Sequence, residues 1–223
     1  MNDYQKFLLD IYREFGDNAQ KALDFVHKNM VENNSIPMQE ESTEAIAVDL
    51  GLPSGTLWAD RNIGAKSPED VGLYFSWGNT DGHIFGTDYN FNEETYAKTE
   101  GAKLDGDIDL EHDAAHVNMG GSWRMPTEDD FTELDECCTH EFCSLNGYRG
   151  IKFTSKKNGN SIFFACSGYG LGASWNNRGS GGYYWSSSFV SARYARDLSF
   201  GSGGVYPQYS LNRCNGFAVR AVQ

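Results

Sequence analysis

The spacing of the apolar residues changes near residue 44, and this change constrains the fold more than any other feature of the chain. Between residues 3 and 32, apolar side chains recur every three or four positions, which predicts a kinked helix or a helical hairpin. Beyond residue 44 they recur at every second position, as in strands with one buried face. We therefore predict a helical N-terminal segment (1–33), a polar linker (34–43) and a principal domain (44–223).

The principal domain combines strand patterns with one internal helix. Thr127 precedes a run with acids in its first turn, so we expect it to be the N-cap of a helix whose Phe131 and Leu134 face inward. Asn158-Gly159 predicts a hairpin turn between two alternating segments. The pattern predicts an α+β fold in which the first strand, "AIAVDLGL", and the last, "GFAVRAV", pair. Alternation also predicts a buried face on the first strand, formed by Ile46, Val48, Leu50 and Leu52.

The charge distribution argues against nucleic acid as a partner. The chain has a net charge of −13, although residues 151–223 hold eight basic residues against the single acid Asp197. This asymmetry indicates either an acidic solvated surface or two halves that face different partners. General nucleic-acid binding requires a basic footprint. The sequence also contains no apolar run of membrane-spanning length and begins with no secretory signal pattern.

Acids and histidines between residues 105 and 116 are the first candidates for metal binding. The run "DGDIDLEHD" (105–113) has acids at every second position, but Leu110 stands where an EF-hand loop needs glycine. The run is therefore either a cation site or a solvated loop that pairs locally with Arg124. His112 and His116 would share a face of a helix. The glutamate that a zinc protease needs is absent, which favours a structural role for both histidines.

The sequence predicts no catalytic residue, no resident metal and no cofactor. The cysteines lack zinc-binding spacing, and Cys166 lies in an apolar run that is typical of a core strand. No Ser/His/Asp array stands at a readable spacing, and "GYGLG" does not open a helix as a phosphate-binding loop would. We therefore expect a protein that is not an enzyme. The cysteines are Cys137, Cys138, Cys143, Cys166 and Cys214.

Tyrosine, serine, glycine and asparagine dominate the segment from Ser167 to Asn212, where they make up 28 of 46 residues. Tyrosine gives a large contact area at low entropic cost, and the small polar residues give adaptable hydrogen bonds, as in evolved binding surfaces. The alternative is a glycine-rich β region with long loops. In "RDLSFGS", Leu198 and Phe200 are expected to face a core, while the residues between them face solvent. Those residues are Asp197, Ser199 and Gly201.

Five ordered motifs lie within residues 44–223: "VDLGLPSGTLWA", "GLYFSWGN", "DAAHVNMGGSWRMPTEDDF", "GYYWSSS" and "NRCNGFAVRAV". Together they resemble the Bacteroidetes-type domain with a C-type lectin-like fold. That domain is related to the fibrobacter major paralogous domain and to the formylglycine-generating enzyme fold. The resemblance implies a C-type lectin-like α+β fold with paired terminal strands.

Within that fold, the C-terminal segment resembles the hypervariable region of proteins diversified by retroelements. Such diversification replaces adenines and converts Asn codons to Tyr, Ser, Phe, Asp, Gly, Leu or Val. Residues 189–212 contain none of the excluded Lys, Glu, Gln, Met or Trp apart from Gln208. The resemblance implies a variable region at about 182–215 on a scaffold that includes Trp185 and Phe217. The implied ligand-binding residues are Phe189, Val190, Tyr194, Asp197, Ser199, Gly201, Gly204, Tyr206, Tyr209, Ser210 and Leu211.

The resemblance implies non-catalytic recognition of a protein or glycan ligand, as in a phage-tail receptor-binding protein, or an intracellular product of the same class. Residues 3–32 are then expected to mediate oligomerisation or docking to a partner. Tyr194 breaks the alternation and requires a bulge or a loop to join the face. The alternatives implied by the same fold are a formylglycine-generating-enzyme-like oxidase and a carbohydrate-binding or adhesin module. The oxidase needs paired cysteines near the C-terminus, where only Cys214 stands.

Overall fold

The computed structural model describes residues 44–94 and 106–223, so the predicted helical segment, the linker and Asp105 lie outside the described residues. The helices are α1 (Ala114–Met119) and α2 (Glu128–Cys137). The strands are β1 (Ala47–Asp49), β2 (Leu57–Ala59), β3 (Tyr74–Phe75), β4 (Cys138–Leu145), β5 (Tyr148–Ser155), β6 (Ser161–Ala165), β7 (Tyr169–Leu171), β8 (Ser174–Asn176), β9 (Gly181–Phe189), β10 (Tyr194–Gly201), β11 (Gly204–Asn212) and β12 (Phe217–Ala218).

The largest sheet has five strands in the order β11-β10-β9-β12-β3. Its strands β9 and β10 pair antiparallel, so their side chains alternate between two faces. On one face Leu198 and Phe200 pack, as predicted, into a first core that also contains Tyr184. On the other face Trp185 and Ala195 pack into a second core. The centre of this sheet therefore carries apolar packing on both sides.

A three-stranded antiparallel sheet, β4-β5-β6, supplies the opposite wall of the first core. The predicted turn joins β5 to β6, and Gly159 has a φ of 79° there, which glycine adopts without a steric penalty. The hairpin prediction is therefore confirmed. The inward residues of this hairpin are all buried: Ile151, Phe153, Ile162, Phe164 and Cys166.

Helix α2 begins where the sequence predicts it. The backbone nitrogen of Asp130 donates to Thr127 Oγ1 at 3.1 Å, and Asp130 Oδ2 accepts from the Thr127 nitrogen at 2.8 Å. This reciprocal pair is a complete capping box. Phe131 and Leu134 are fully buried in the first core, as their spacing predicts. Helix α2 therefore holds the five-stranded sheet from the side that Leu198 faces.

The C-terminal segment pairs with β2, and β2 pairs in turn with β1. The Leu57 nitrogen donates to the Gln223 carbonyl at 2.9 Å, and the Gln223 nitrogen donates back to Leu57 at 3.0 Å. The C-terminal segment therefore pairs with β2 and not, as predicted, with the first strand. The short β1–β2 hairpin leaves the second edge of β2 open, and the C-terminal segment fills that edge. Ile46 precedes β1 and is exposed, which contradicts its predicted place on the buried face that Leu50 and Leu52 do form.

The last strand pattern, residues 217–222, is buried on both faces. Ala218 and Val222 pack into the first core, whereas Phe217, Val219 and Ala221 pack into the second. The two-residue period of this segment is therefore correct, but both of its faces meet apolar side chains. The described residues form a mixed α+β structure that is mostly β with two helices, which confirms the predicted class at that level. The described helices include none that is long and apolar enough to cross a membrane.

Candidate ligand-binding face

The ladder of β9, β10 and β11 brings five polar and aromatic side chains to one face of the sheet. Tyr209 on β11 is the cross-strand partner of Asp197 on β10, and Tyr206 is the partner of Ser199. On the other side of β10, Ser199 is the partner of Tyr183 on β9. Directly paired residues project from the same face of a sheet. We call the set of Tyr183, Asp197, Ser199, Tyr206 and Tyr209 the tyrosine face.

A β-bulge places both exposed tyrosines on this face. Tyr206 and Tyr209 are three residues apart, so plain alternation would send them to opposite faces. The β10–β11 register shifts between Asp197 and Ser199, where Pro207 and Gln208 together oppose one residue. Proline cannot donate to a ladder and is tolerated at edge strands and bulges, and β11 is the edge strand. Pro207 is thus the sequence signal that would have indicated this bulge.

Asp197 and Ser199 are buried, which contradicts the expectation that they face solvent. Asp197 is 0% exposed and Ser199 is 7% exposed, whereas Tyr206 and Tyr209 are 54% and 51% exposed. The cause lies in side-chain length, because β10 is an inner strand whose short residues are flanked by large rings. Trp185 and Tyr209 flank Asp197 across the two ladders. Asp197 and Ser199 therefore form the floor of the tyrosine face, and the tyrosines form its accessible part.

The carboxylate of Asp197 is only half satisfied by the residues around it. Ser199 Oγ donates to Asp197 Oδ2 at 2.5 Å, while Oδ1 has no hydrogen-bond partner in the described part of the chain. Arg196 does not pair with the Asp197 carboxylate, because the Arg196 guanidinium bonds Glu128 Oε2 at 2.8 Å on the α2 side of the sheet. Burial raises the pKa of Asp197 to about 7, against the opposing effects of the Ser199 hydrogen bond and the Arg196 charge.

Tyr183 belongs to the tyrosine face, although it is not among the ligand-binding residues that the resemblance implies. Its hydroxyl accepts a hydrogen bond from Asn177 Nδ2 at 2.8 Å, and its ring lies 4.9 Å from that of Tyr169. Burial, together with the nearby groups Tyr169, Asp197 and Tyr209, raises the pKa of Tyr183. Its place follows from strict alternation in β9, because its neighbour Tyr184 points into the first core.

A rigid aromatic layer supports the face from the β12 side. The rings of Trp185 and Phe217 stack with centroids 4.1 Å apart, and Tyr183 lies 5.4 Å from Phe217. The indole nitrogen of Trp185 also donates to the Phe75 carbonyl at 2.8 Å. Trp185 and Phe217, which the resemblance implies to be scaffold residues, are both fully buried.

The remaining predicted site residues divide between the two faces. Gly201 and Gly204 are paired beyond Ser199, and Leu211 and Phe189 are both partners of Ala195, so these four share the side of the tyrosine face. Tyr194 and Ser210 do not, because the register from Tyr194 to Asp197 is regular and pairs Ser210 with Arg196. The β10–β11 ladder has no bulge at Tyr194 that would bring it to this face, and a ligand-binding role of Tyr194 and Ser210 stays a prediction. Val190 follows the end of β9 and is exposed.

The acidic loop and the histidines have local structural partners. Asp107 Oδ1 accepts from Ser187 and Ser188 hydroxyls at 3.1 and 2.8 Å, and Asp109 Oδ1 lies 2.7 Å from His112 Nδ1. Asp113 caps α1 by accepting from the His116 nitrogen at 2.9 Å. His112 precedes this cap, so the two histidines do not share a helix face.

Arg124 pairs with Asp130 of α2 at 2.7 Å instead of with the acidic loop, which corrects the predicted local pairing. Among residues 44–94 and 106–223, no cluster of three or more His, Cys, Asp or Glu side chains has metal-binding geometry.

All five cysteines are free thiols. Cys138 and Cys166 are buried, and burial raises the pKa of each to about 11. Cys214 is half-buried, and burial raises its pKa as well. A reactive cysteine is activated by a lowered pKa, so Cys138, Cys166 and Cys214 have the opposite character.

Comparison of the chain with known protein families, with curated proteins and with solved structures found no match.

Proposed function

We propose that residues 44–223 form a non-catalytic recognition domain of the C-type lectin-like class, whose ligand binds at the tyrosine face. The observation that carries this proposal is the pair of half-exposed tyrosines, Tyr206 and Tyr209, held 6.3 Å apart between ring centroids on a structured strand. Exposed aromatic side chains on a rigid support are the residues that most often dominate binding energy.

The construction of the face supports recognition more than catalysis. Its floor is tied to buried aromatic layers, and each tyrosine needs only two side-chain torsions to be fixed on binding. The titratable residue of the floor, Asp197, is wholly covered, and neither a histidine nor a cysteine is its cross-strand partner. The oxidase alternative requires an activated cysteine pair, whereas burial raises the pKa of Cys214. Turnover of a cysteine-containing peptide in the presence of copper would contradict our proposal.

Ligand selection followed by alanine substitution tests the site. A glycan array and a random 12-residue peptide library are probed with the full chain, and selected ligands are tested against the Tyr206→Ala/Tyr209→Ala double variant. We expect the double variant to lose at least ~30-fold in affinity, because two anchors at ~1–2 kcal/mol each are removed. Tyr148→Ala is the matched control, since Tyr148 is exposed on β5 of the other sheet. Equal loss in both variants, or no loss in the double variant, would refute the site.

We further propose that the face is diversified by a retroelement and that the protein acts in receptor recognition, as in a phage tail. The compositional bias of residues 189–212 supports this proposal. Gene sequencing tests it directly: a reverse transcriptase and a near-copy of the 3′ end of the gene should lie nearby. Adenines of the copy should align with the codons of Tyr206 and Tyr209. A copy whose adenines align with the codons of Leu198 and Phe200 instead would contradict the proposed diversification.

A further inference from the structure

We infer that the tyrosine face selects ligands that present a cationic side chain, lysine or arginine, between Tyr206 and Tyr209. This inference rests on the proposed function and specifies the chemistry of the ligand. Three features of the site carry it: an exposed pair of tyrosine rings, a carboxylate beneath them with one unpartnered oxygen, and the pairing of the neighbouring cation, Arg196, with Glu128 on the opposite side of the sheet.

The two rings provide the accessible part of a cation site. Their centroids are 6.3 Å apart and their planes are inclined by 55°, so they form an open angle instead of a closed stack. A cation over the face of a tyrosine ring is attracted by the ring quadrupole within about 6 Å, and arginine is the commonest partner. An aliphatic stem would also lie against the rings while its charged head reaches toward the floor.

The floor favours positive charge over negative charge. Asp197 lies directly across the ladder from Tyr209, and its Oδ1 accepts no hydrogen bond within the described ranges. The groups that face it across the ladders are Tyr209 on β11 and Trp185 on β9, with Ser199 next to it on β10. None of these groups carries a positive charge. A buried, incompletely paired carboxylate therefore attracts a cation on the rings and repels an anion, with little screening by solvent.

Short peptide probes on the intact chain test the inference. Four peptides, acetyl-Gly-X-Gly-amide with X as arginine, lysine, norleucine or glutamate, are titrated at pH 8. The ring signals of Tyr206 and Tyr209 are followed by NMR and assigned with Tyr→Phe variants. We expect the arginine and lysine peptides to shift both rings and to bind ~10-fold more tightly than norleucine, which corresponds to one good cation–π contact plus the carboxylate. The glutamate peptide should bind most weakly.

Asp197→Asn keeps the shape of the floor and removes its charge. We expect this variant to lower the arginine affinity to about the level of its own norleucine affinity, so that the preference for a cation is lost. Because the comparison of arginine with norleucine uses the unmodified protein, the inference is testable even if the variant folds poorly.

Equal affinity for arginine and norleucine, or preference for glutamate, would overturn the inference, and so would the absence of any shift. If norleucine binds as tightly as arginine and is lost in Tyr206→Ala/Tyr209→Ala, the face remains a binding site and only the cationic preference fails.

Discussion

Tyr209 and Asp197 are direct cross-strand partners, yet half of the Tyr209 surface is exposed and none of the Asp197 surface is. The pair joins the accessible layer of the tyrosine face to its buried floor. A change in the charge of Asp197 therefore acts on two properties at once, the stability of the sheet and the electrostatic potential at the surface.

We predict that Asp197 makes the protein less stable as the pH rises from about 4 to about 7. Burial raises the pKa of Asp197 from its ordinary value of 3.8 to about 7, so the folded state keeps a proton that the unfolded state has lost. Stability from this group is complete below pH 4, decreases up to pH 7 and is constant above that. The total change is on the order of 4 kcal/mol for this one group.

Denaturant unfolding of the protein and of Asp197→Asn between pH 5 and pH 8 measures this effect. We expect the free energy of unfolding of the variant to increase relative to that of the wild type as the pH rises, because Asn cannot ionise. Ser199→Ala should enlarge the dependence, since the Ser199 hydroxyl stabilises the charged carboxylate. A difference in stability between wild type and Asp197→Asn that stays constant over this pH range would contradict the prediction.

Tyr184→Phe should destabilise the protein by about 1–3 kcal/mol, whereas Tyr183→Phe should cost less than about 0.5 kcal/mol. The Tyr184 hydroxyl is buried, donates to the Ala165 carbonyl at 2.8 Å and accepts from Asn62 at 3.3 Å. Its removal takes one hydrogen bond from each of two buried groups, the Ala165 carbonyl and the Asn62 amide, which keep their bonds to the Ser167 nitrogen and the Val71 carbonyl. The partner of Tyr183, Asn177, is exposed and can bond water instead. Thermal unfolding of the two variants checks this, and a larger loss at Tyr183 would count against the assignment of faces.

The sequence predicts which residues are buried by local alternation, but not what covers the other face. Leu198 and Phe200 are correctly predicted because inward apolar residues depend only on the two-residue period of β10. The burial of Asp197 depends on the length of the side chains on the neighbouring strands, Tyr209 and Trp185, and hence on the strand order of the sheet. Strand order is a long-range property that no single segment encodes.

The bulge in β11 is the second feature beyond the reach of alternation. It determines that Tyr209, instead of Gln208, shares a face with Tyr206. Gln208 lies on the other side and donates to Thr132 Oγ1 of α2 at 2.9 Å. By contrast, the N-cap at Thr127 is predicted correctly because its partner, Asp130, lies three residues away.

Gly182→Ala should destabilise the protein by about 2 kcal/mol or more through overpacking. A Cβ on Gly182 would lie 2.1 Å from Phe200 Cζ, and Phe200 is buried in the first core with little room to move. Gly203→Ala is the control, because a Cβ there would meet no atom within 4 Å. Urea unfolding of both variants tests this, and an unchanged midpoint for Gly182→Ala would show that Phe200 can shift away from β9.

Arg220→Lys should cost at least about 3 kcal/mol, although it conserves the charge. The Arg220 guanidinium is fully buried and donates to Asn62 Oδ1 at 2.8 Å and to the Phe163 carbonyl at 2.8 Å. It also donates to the carbonyls of Ala59 and Asp60 at 3.1 and 3.2 Å. Burial lowers its pKa to about 10, so it stays charged at neutral pH.

The reason for this large cost is geometric. The planar guanidinium spreads its donors between the chain that follows β2 and strand β6, and a lysine ammonium presents three donors from a single point. Some of the four acceptors would therefore be left buried without a donor. Arg193→Lys is the matched control, because Arg193 is exposed and forms a 3.3 Å ion pair with the exposed Glu93, worth less than about 1 kcal/mol. Equal unfolding free energies for the two variants would mean that the positive charge of Arg220, and not the planar arrangement of its donors, stabilises the contact between β2 and β6.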